Sequence, residues 1–353
     1  MVSKKASVPS EHRIKHKEVA LILICRDIFR CTTSLYHLIQ PAYYEEMIRA
    51  VIDIWRYEGY MPDGRSGNYN GLVQGGSNAD NVLADAYVKG LRGSINWTAG
   101  YQAMVKDAEV IPYNTFSIDD PTASVKEGRG ALGDWIPLGY VSSDQSTRAI
   151  SRTVEYALND FALAQVARGE APGDVEKYMN RSSFWQNIWA HNFTETETGQ
   201  NFTGFLAPKL ADGTFNLTDY NPALCGECEW KAISYEATPF EYSFTIPHDM
   251  QTLIQYMGGA DNFERRLDYI HLPNTTQQNL GANGAGISSI MNIGYLSVPR
   301  SYIFQLTVPQ QRARLRNTLR IQLHQQASQV CPARTYACQP VLPRCKLWRT
   351  WQL

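Results

Sequence analysis

The stretch "SRTVEYALNDFALAQVARG", Ser151–Gly169, decides the fold class. Together with the residue before it, Ile150, Val154, Ala157, Phe161 and Ala164 recur at steps of 4, 3, 4 and 3. That is the period of one helix face, not the period of two that a half-buried strand shows. The spacing predicts the longest helix of the chain over about 145–169. Toward the N-terminus, "PAYYEEMIRAVIDIWRYEG" (Pro41–Gly59) puts Met47, Ile48, Val51, Ile52 and Trp55 on one face, with Pro41 suited to a first turn and Gly59 to a stop. Ser77 and Asp80 in "SNAD" have the spacing of a capping box, opening a helix that runs to Gly90. A further helix is predicted over 97–109. Toward the C-terminus, helices are predicted over 173–188, over 238–258 with a kink at Pro247, and over 260–271. Strand signals are sparse. Long Gly- and Pro-rich loops at 60–76, 111–135, 190–236 and 273–294 separate the helices, and loops of that length in a compact domain are usually functional. Helix pairs with long loops at one end describe a helical toroid or solenoid. The lack of a fixed period argues against a simple helical-repeat scaffold.

The chain has 353 residues, 44% of them hydrophobic, enough for one large core or two smaller ones. Its net charge of −1 conceals a division: all 34 acidic residues lie in 1–294, whereas 295–353 carries nine Lys and Arg and no acid. A tail of that composition is predicted to have a different origin from the body and to order poorly. It could attract polyanions, but no nucleic-acid module accompanies it, and no nucleic-acid partner is expected. The apolar run "VALILIC" (Val19–Cys25) is far shorter than the roughly 20 residues that span a bilayer, and "CRD" follows it where a signal peptide would have small residues. Neither a membrane segment nor a targeting segment is expected, so the chain as encoded reads as cytosolic. Six N-x-S/T sequons, at Asn96, Asn180, Asn192, Asn201, Asn216 and Asn274, point the other way, toward a secretory history. The lone CxxC pair, Cys225 and Cys228, lacks a second pair at zinc-site spacing and reads as a short-loop disulfide or two inert thiols.

The acids of greatest interest lie in "ISYEATPFEYSFTIPHDMQ" (Ile233–Gln251), where Glu236 and Glu241 stand among Tyr235, Phe240, Tyr242 and Phe244. A carboxyl desolvated by aromatic rings stays protonated and can serve as a general acid, as glycosidases require. The plainer reading of Glu236 is an acid near a helix N-terminus. Glu241 reads as structural, and the step His248–Asp249 as a satisfied core pair. "QGGSNAD" lacks the GK[ST] ending of a phosphate loop.

Several stretches, in one order, carry a resemblance: "MIRAVIDIWRYEGYMPDGRSG", "QGGSNADNVLADAYVKGL", "GYQAMVKDAEV", "EGRGAL", "SRTVEYALNDFALAQVARG", "GFLAPKLADGTF", "YEATPFEYSFTIPHDMQTLIQYMGG" and "FERRLDYIH". Over about 26–294 the chain resembles glycoside hydrolase family 92, the calcium-dependent exo-α-mannosidases, and most closely its fungal α-1,2-mannosidases. The resemblance implies a mostly α, partial (α/α)6 toroid of the six-hairpin glycosidase type at 26–294, between a short segment at 1–25 and a non-homologous tail at 295–353. It implies inverting hydrolysis of terminal α-1,2-linked mannose from glycoprotein N-glycans, with Glu236 as general acid and the neighbouring aromatics as the wall of a sugar site. Asp27 and Arg30 of "RDIFR" correspond to a sugar contact and its support, although Arg26 stands where the family has Trp. Arg65, Asp80 and Arg129 fall in matching loops as substrate-binding residues.

Departures accompany the match. Only about 25 residues precede the match where the resemblance would place an N-terminal β-sandwich, and neither the "NEP" motif expected after "SIMNIG" nor the downstream Asp-containing segment that supplies the family's general base is found in these 353 residues. Calcium is the cofactor the resemblance implies, but its site draws on that downstream region, and no ligand carries over. The end of the match looks like a frame change or mis-joined exon, and the chain as encoded is expected to be inactive or nearly so. Full-length relatives are often secreted. The competing readings are a non-catalytic mannose-binding remnant and a helical interaction scaffold.

Overall fold

Helices dominate the parts of the chain that the computed structural model describes, residues 23–24, 28–29, 32–62, 64–66, 69–70, 73, 75–113, 128–226, 228 and 231–270. All of these lie in one unit, Met1–Ile303. Asp27, Arg30 and the whole tail at 295–353 lie outside the described residues.

In chain order the elements are β1 (Leu23–Ile24), α1 (Thr32–Ile39), α2 (Pro41–Glu58), β2 (Gly64–Ser66), β3 (Tyr69–Asn70), α3 (Ala79–Val88), α4 (Trp97–Glu109), α5 (Leu132–Leu138), α6 (Ala149–Glu170), α7 (Val175–Ser182), β4 (Trp189–Thr194), β5 (Thr203–Leu206), α8 (Pro239–Tyr242), α9 (Met250–Tyr256) and α10 (Ala260–Ile270). Two small antiparallel sheets, β1-β2-β3 and β4-β5, accompany the helices.

Local chemistry sets the clearest boundaries. Pro41 occupies the first turn of α2, and Gly59 closes it at φ 95°, its N–H donating to the Trp55 carbonyl at 2.8 Å. The Asn96 side chain caps α4 by accepting from the Ala99 N–H at 2.9 Å. Thr238 and Glu241 form a capping box at α8, so Glu241 is structural as expected. The box expected at Ser77 and Asp80 does not form. Asn159 takes the Ser77 N–H at 2.9 Å, and the Asp80 carboxylate turns to the Ser77 hydroxyl and Arg129 instead.

Other expectations change as well. The helix predicted over 238–258 is broken rather than kinked at Pro247, where a 3-10 turn (Pro247–Asp249) separates α8 from α9. The helix predicted over 173–188 gives way after Ser182 to a 3-10 turn at Phe184–Ile188. The presumed loop 190–236 contains the β4-β5 hairpin, and the presumed loop 111–135 ends in the start of α5.

The long helix α6 is the hub. It packs against α3, α4, α7 and α8. Of its 22 residues, 17 are buried, so it is enclosed on most sides rather than on a single stripe. Phe161, expected on the buried face, is only half-buried and lies against the His248 ring at 5.4 Å. The N-terminal half of α6 supplies Ile150, Val154 and Tyr156 to one core, with α5, the β4-β5 hairpin and α8–α10. Its C-terminal half supplies Leu163, Ala164 and Val166 to a second core, with α2, α3, α4 and α7. Truncating the fully buried Leu163 to Ala would cost about 2–5 kcal/mol, because the site can collapse only in part.

Candidate active site

Between the two cores α6 carries polar side chains that are fully enclosed. Arg129, Asp80, Asn159 and Asp160 are each 0% exposed. Arg129 donates from Nη1 to Asp160 Oδ1 at 2.6 Å, from Nη2 to Asp80 Oδ2 at 2.9 Å and from Nε to the Ser77 hydroxyl at 2.9 Å. The indole of Trp135 completes Asp160 by donating to Oδ2 at 3.1 Å. Burial pushes the Asp80 carboxyl above the usual carboxylate range against the pull of Arg129. Burial would lower the Arg129 pKa, but the charges of Asp160 and Asp80 win and raise it. Two of the residues predicted to bind substrate thus meet in one buried ion cluster, which ties the segment at 129 to α3 and α6.

Beside this cluster lies a carboxylate that the sequence reading passed over. Glu155 is 2% exposed. Its Oε2 accepts from the Gly76 N–H at 2.7 Å and the Asn78 amide at 3.1 Å, and its Oε1 from the Tyr242 hydroxyl at 3.0 Å. Gly75 and Gly76 are required here: a Cβ on Gly75 would lie 2.4 Å from the Glu155 carboxyl carbon, and one on Gly76 2.2 Å from Asn159 Oδ1. The signal was present, since Arg152, Glu155 and Asn159 share a face of a helix with few solvent-facing positions.

Tyr242 connects Glu155 to the loop that carries Glu236. Its hydroxyl also lies 3.2 Å from the Tyr235 carbonyl. That loop closes over the N-terminus of α6: Arg148 N–H donates to Ala232 O at 2.7 Å, Ile150 N–H to Ile233 O at 3.0 Å, and Tyr235 N–H to the Ser151 hydroxyl at 2.9 Å. The backbone of Glu236 is left-handed, φ 55°, a costly state for a residue with a side chain. Its N–H donates to the Cys228 carbonyl at 2.9 Å, and Cys228 is joined to Cys225 by a disulfide, the first of the two outcomes left open for that pair. Ala237 and Thr238 beyond it are buried, whereas Glu236 itself is half-buried. The loop therefore fixes one partly accessible carboxyl on a backbone held from both sides.

The aromatics are placed differently from expectation. Phe240, Tyr242 and Phe244 are at most 1% exposed and belong to the core with Phe202, Phe205 and Phe263, so they do not wall a sugar site. Tyr235 alone of the four is half-buried. His248 and Asp249 do not pair. His248 Nε2 meets the Ser182 carbonyl at 2.9 Å, and burial lowers its pKa to about 4. Asp249 Oδ2 accepts from Gln186 at 3.1 Å and Trp185 at 3.3 Å. Arg65 lies on β2, paired with Leu23 and Asn70. A cavity of about 280 Å³ lined by His191, Asn201, Tyr256 and Arg265 contains none of the predicted site residues.

A model of the Glycosyl hydrolase family 92 catalytic domain matches residues 13–316. The chain belongs to glycosyl hydrolase family 92. The match begins before and ends beyond the 26–294 body outlined from the motifs. An uncharacterized secreted glycosidase of the fungus Arthroderma benhamiae is 38% identical over 245 residues, covering 65% of this chain and 30% of that protein. The family 92 inverting mannosidase BT2199 of Bacteroides thetaiotaomicron superposes with a TM-score of 0.58 at 24% identity, covering 77% of this chain and 33% of the mannosidase. The family 92 α-mannosidase BT3965 of the same bacterium gives 0.53 at 21%, with 79% and 34% covered. The chain thus spans about a third of the length of these relatives. The likeness to the solved structures establishes the fold: mostly α, a partial (α/α)6 toroid.

Proposed function

We propose that the protein carries part of the catalytic domain of an α-mannosidase that, when completed by the family's downstream segment, removes terminal α-1,2-linked mannose from glycoprotein N-glycans with inversion, and that Glu236 is its general acid. The observation that carries this reading is the placement of Glu236. It is half-buried, on a left-handed backbone, held by the disulfide turn on one side and by the capped α8 on the other. An acid that must meet one glycosidic oxygen gains from a backbone that cannot drift. Inversion places a second carboxylate roughly 6.5–9.5 Å away to activate water on the opposite face of the sugar. No residue of this chain is assigned that role, since the family's base segment lies downstream of the motifs found here. Asp80 and Arg129 support the site from within the buried cluster, and Asp27, Arg30 and Arg65 are proposed as sugar contacts on the strength of their motifs. Among the described residues, no three His, Cys, Asp or Glu side chains converge as metal ligands. Calcium therefore receives no ligand in this proposal, and no step passes through it. The secretory route fits the name of the fungal relative.

The experiment is mannose release from α-1,2-mannobiose, followed by NMR so that the first-formed anomer is seen. It compares the 353-residue chain with a version extended through the family's downstream Asp segment, each with and without a calcium chelator. The extended enzyme should release β-mannose, and the short chain should be inactive or nearly so. Release of α-mannose, or equal calcium-dependent turnover by both, would overturn the reading. Binding of mannobiose by both without turnover by either would favour the mannose-binding remnant.

A further inference from the structure

The sequons are a feature of the sequence that the proposed activity does not use, and the structure treats them unevenly with respect to other asparagines. All five sequon asparagines among the described residues, Asn96, Asn180, Asn192, Asn201 and Asn216, are exposed. Of the six other asparagines whose burial is described, Asn78, Asn81 and Asn159 are buried, Asn221 and Asn262 are half-buried, and only Asn187 is exposed. An asparagine that carries a bulky, hydrated glycan cannot be enclosed by the fold, whereas an ordinary asparagine is free to serve in a buried network, as Asn159 does.

The backbone around the β4-β5 hairpin adds a second argument. The register runs from Ala190↔Phe205 to Thr194↔Thr203, so His191, Asn192 and Phe193 stand opposite Gly204 alone. This is a bulge, which bends the strand and re-aims its side chains. It leaves His191 and Asn192 exposed in succession, where a regular strand would turn one of them inward. Across the hairpin Asn201 has a left-handed backbone, φ 54°, a state that asparagine tolerates better than most residues. The hydroxyls of both sequons, Thr194 and Thr203, face each other at 2.8 Å across the exposed strand pair. Asn216 follows on the next turn, its N–H donating to the Pro208 carbonyl at 2.9 Å while its side chain is exposed.

We propose that Asn192, Asn201 and Asn216 are N-glycosylation sites. In the transfer, Nδ2 of the asparagine bonds to C1 of the reducing-end sugar of an oligosaccharide carried on a lipid diphosphate. The bond from C1 to the diphosphate oxygen breaks, the lipid diphosphate leaves with the electron pair, and one Nδ2 proton passes to a base of the transferase. The proposal is independent of whether this chain hydrolyses mannosides, because any trimming of outer mannose leaves the Asn-linked sugar in place.

The test is to express the full chain behind a cleavable secretion leader in yeast and to recover it from both medium and cells. Glycans are released with peptide N-glycosidase in heavy-oxygen water, and the peptides are read by mass spectrometry. Asn192, Asn201 and Asn216 should be converted to heavy-labelled Asp in most molecules, with Asn187 unlabelled as the internal control. Asn192→Gln and Asn201→Gln should each remove one glycan from the intact mass, and Thr218→Ala should abolish modification at Asn216 although the asparagine remains. A majority of unmodified chains at any one of the three removes that site, and at all three overturns the proposal.

Discussion

Arg129 is the counter-charge that two enclosed carboxylates share. Replacing it by Met would leave Asp80 and Asp160 facing each other without a counter-charge in a site closed to water. Breaking a buried pair in this way costs about 3–5 kcal/mol. Urea denaturation of Arg129→Met should show a loss of that size, and a loss under about 1 kcal/mol would mean that water enters the cluster. His248 gives a pH-dependent counterpart. Its pKa falls from the ordinary 6.5 to about 4 on folding, so its contribution is present above 6.5 and is lost as pH falls toward 4. At about 1.4 kcal/mol per unit, the loss approaches a few kcal/mol. His248→Phe forfeits the bond to the Ser182 carbonyl but removes this term. Relative to the parent, the variant should gain stability between pH 7.5 and pH 4.5 in paired denaturation curves, and a constant difference between the two curves would contradict the assignment.

At the scale of elements, Gly75 and Gly76 meet α6 with no room for a side chain. In Gly75→Ala the new methyl meets a carboxylate that is held by Gly76, Asn78 and Tyr242 and cannot swing away. A cost of about 1–3 kcal/mol is expected from overpacking, with faster hydrogen exchange at the Gly76 amide as its local sign. The disulfide turn offers another element-level test. Cys225→Ser with Cys228→Ser frees the carbonyl that holds the Glu236 N–H. Stability should fall by no more than about 2 kcal/mol, because the closed loop is short. Exchange at the Glu236 amide should rise far more than the global change explains, and an unchanged rate there would show that α6 and α8 fix the loop by themselves.

These elements also explain which parts of the fold could be read from the sequence. Helix α2 was legible because its periodicity lies between a start signal at Pro41 and a stop signal at Gly59, and the ranges 97–109 and 260–271 fall within a residue of α4 and α10. The β4-β5 hairpin was not, because its bulge at Asn192 destroys the alternation that marks a strand. Pro247 was visible, but its effect depended on whether packing would bridge it, and the chain instead forms two short helices around a 3-10 turn, both in one core. The capping box at Ser77 was lost to longer-range competition, since Asn159 and Arg129 satisfy the same groups from across the fold. Likewise the aromatics near Glu236 looked like a site wall from their nearness in sequence, and only the core shared with Phe202, Phe205 and Phe263 shows where Phe240 and Phe244 belong. Glu236 itself was found through a motif; no local pattern separates it from an ordinary acid near a helix.

At the scale of the whole molecule, two cores joined through one enclosed helix hold the Glu236 loop at the end of that helix, and membership in glycosyl hydrolase family 92 supplies the chemistry proposed for it. The most direct measurement of that claim is the leaving-group dependence of Glu236→Gln in the chain extended through the family's downstream segment. A general acid contributes about 10²–10⁴-fold where the leaving oxygen needs a proton, and little where it does not. The account predicts that Glu236→Gln loses mannobiose hydrolysis by that factor yet retains most of its turnover of a dinitrophenyl α-mannoside, whose leaving group departs unaided. Equal losses on both substrates, or full activity on mannobiose, would contradict it.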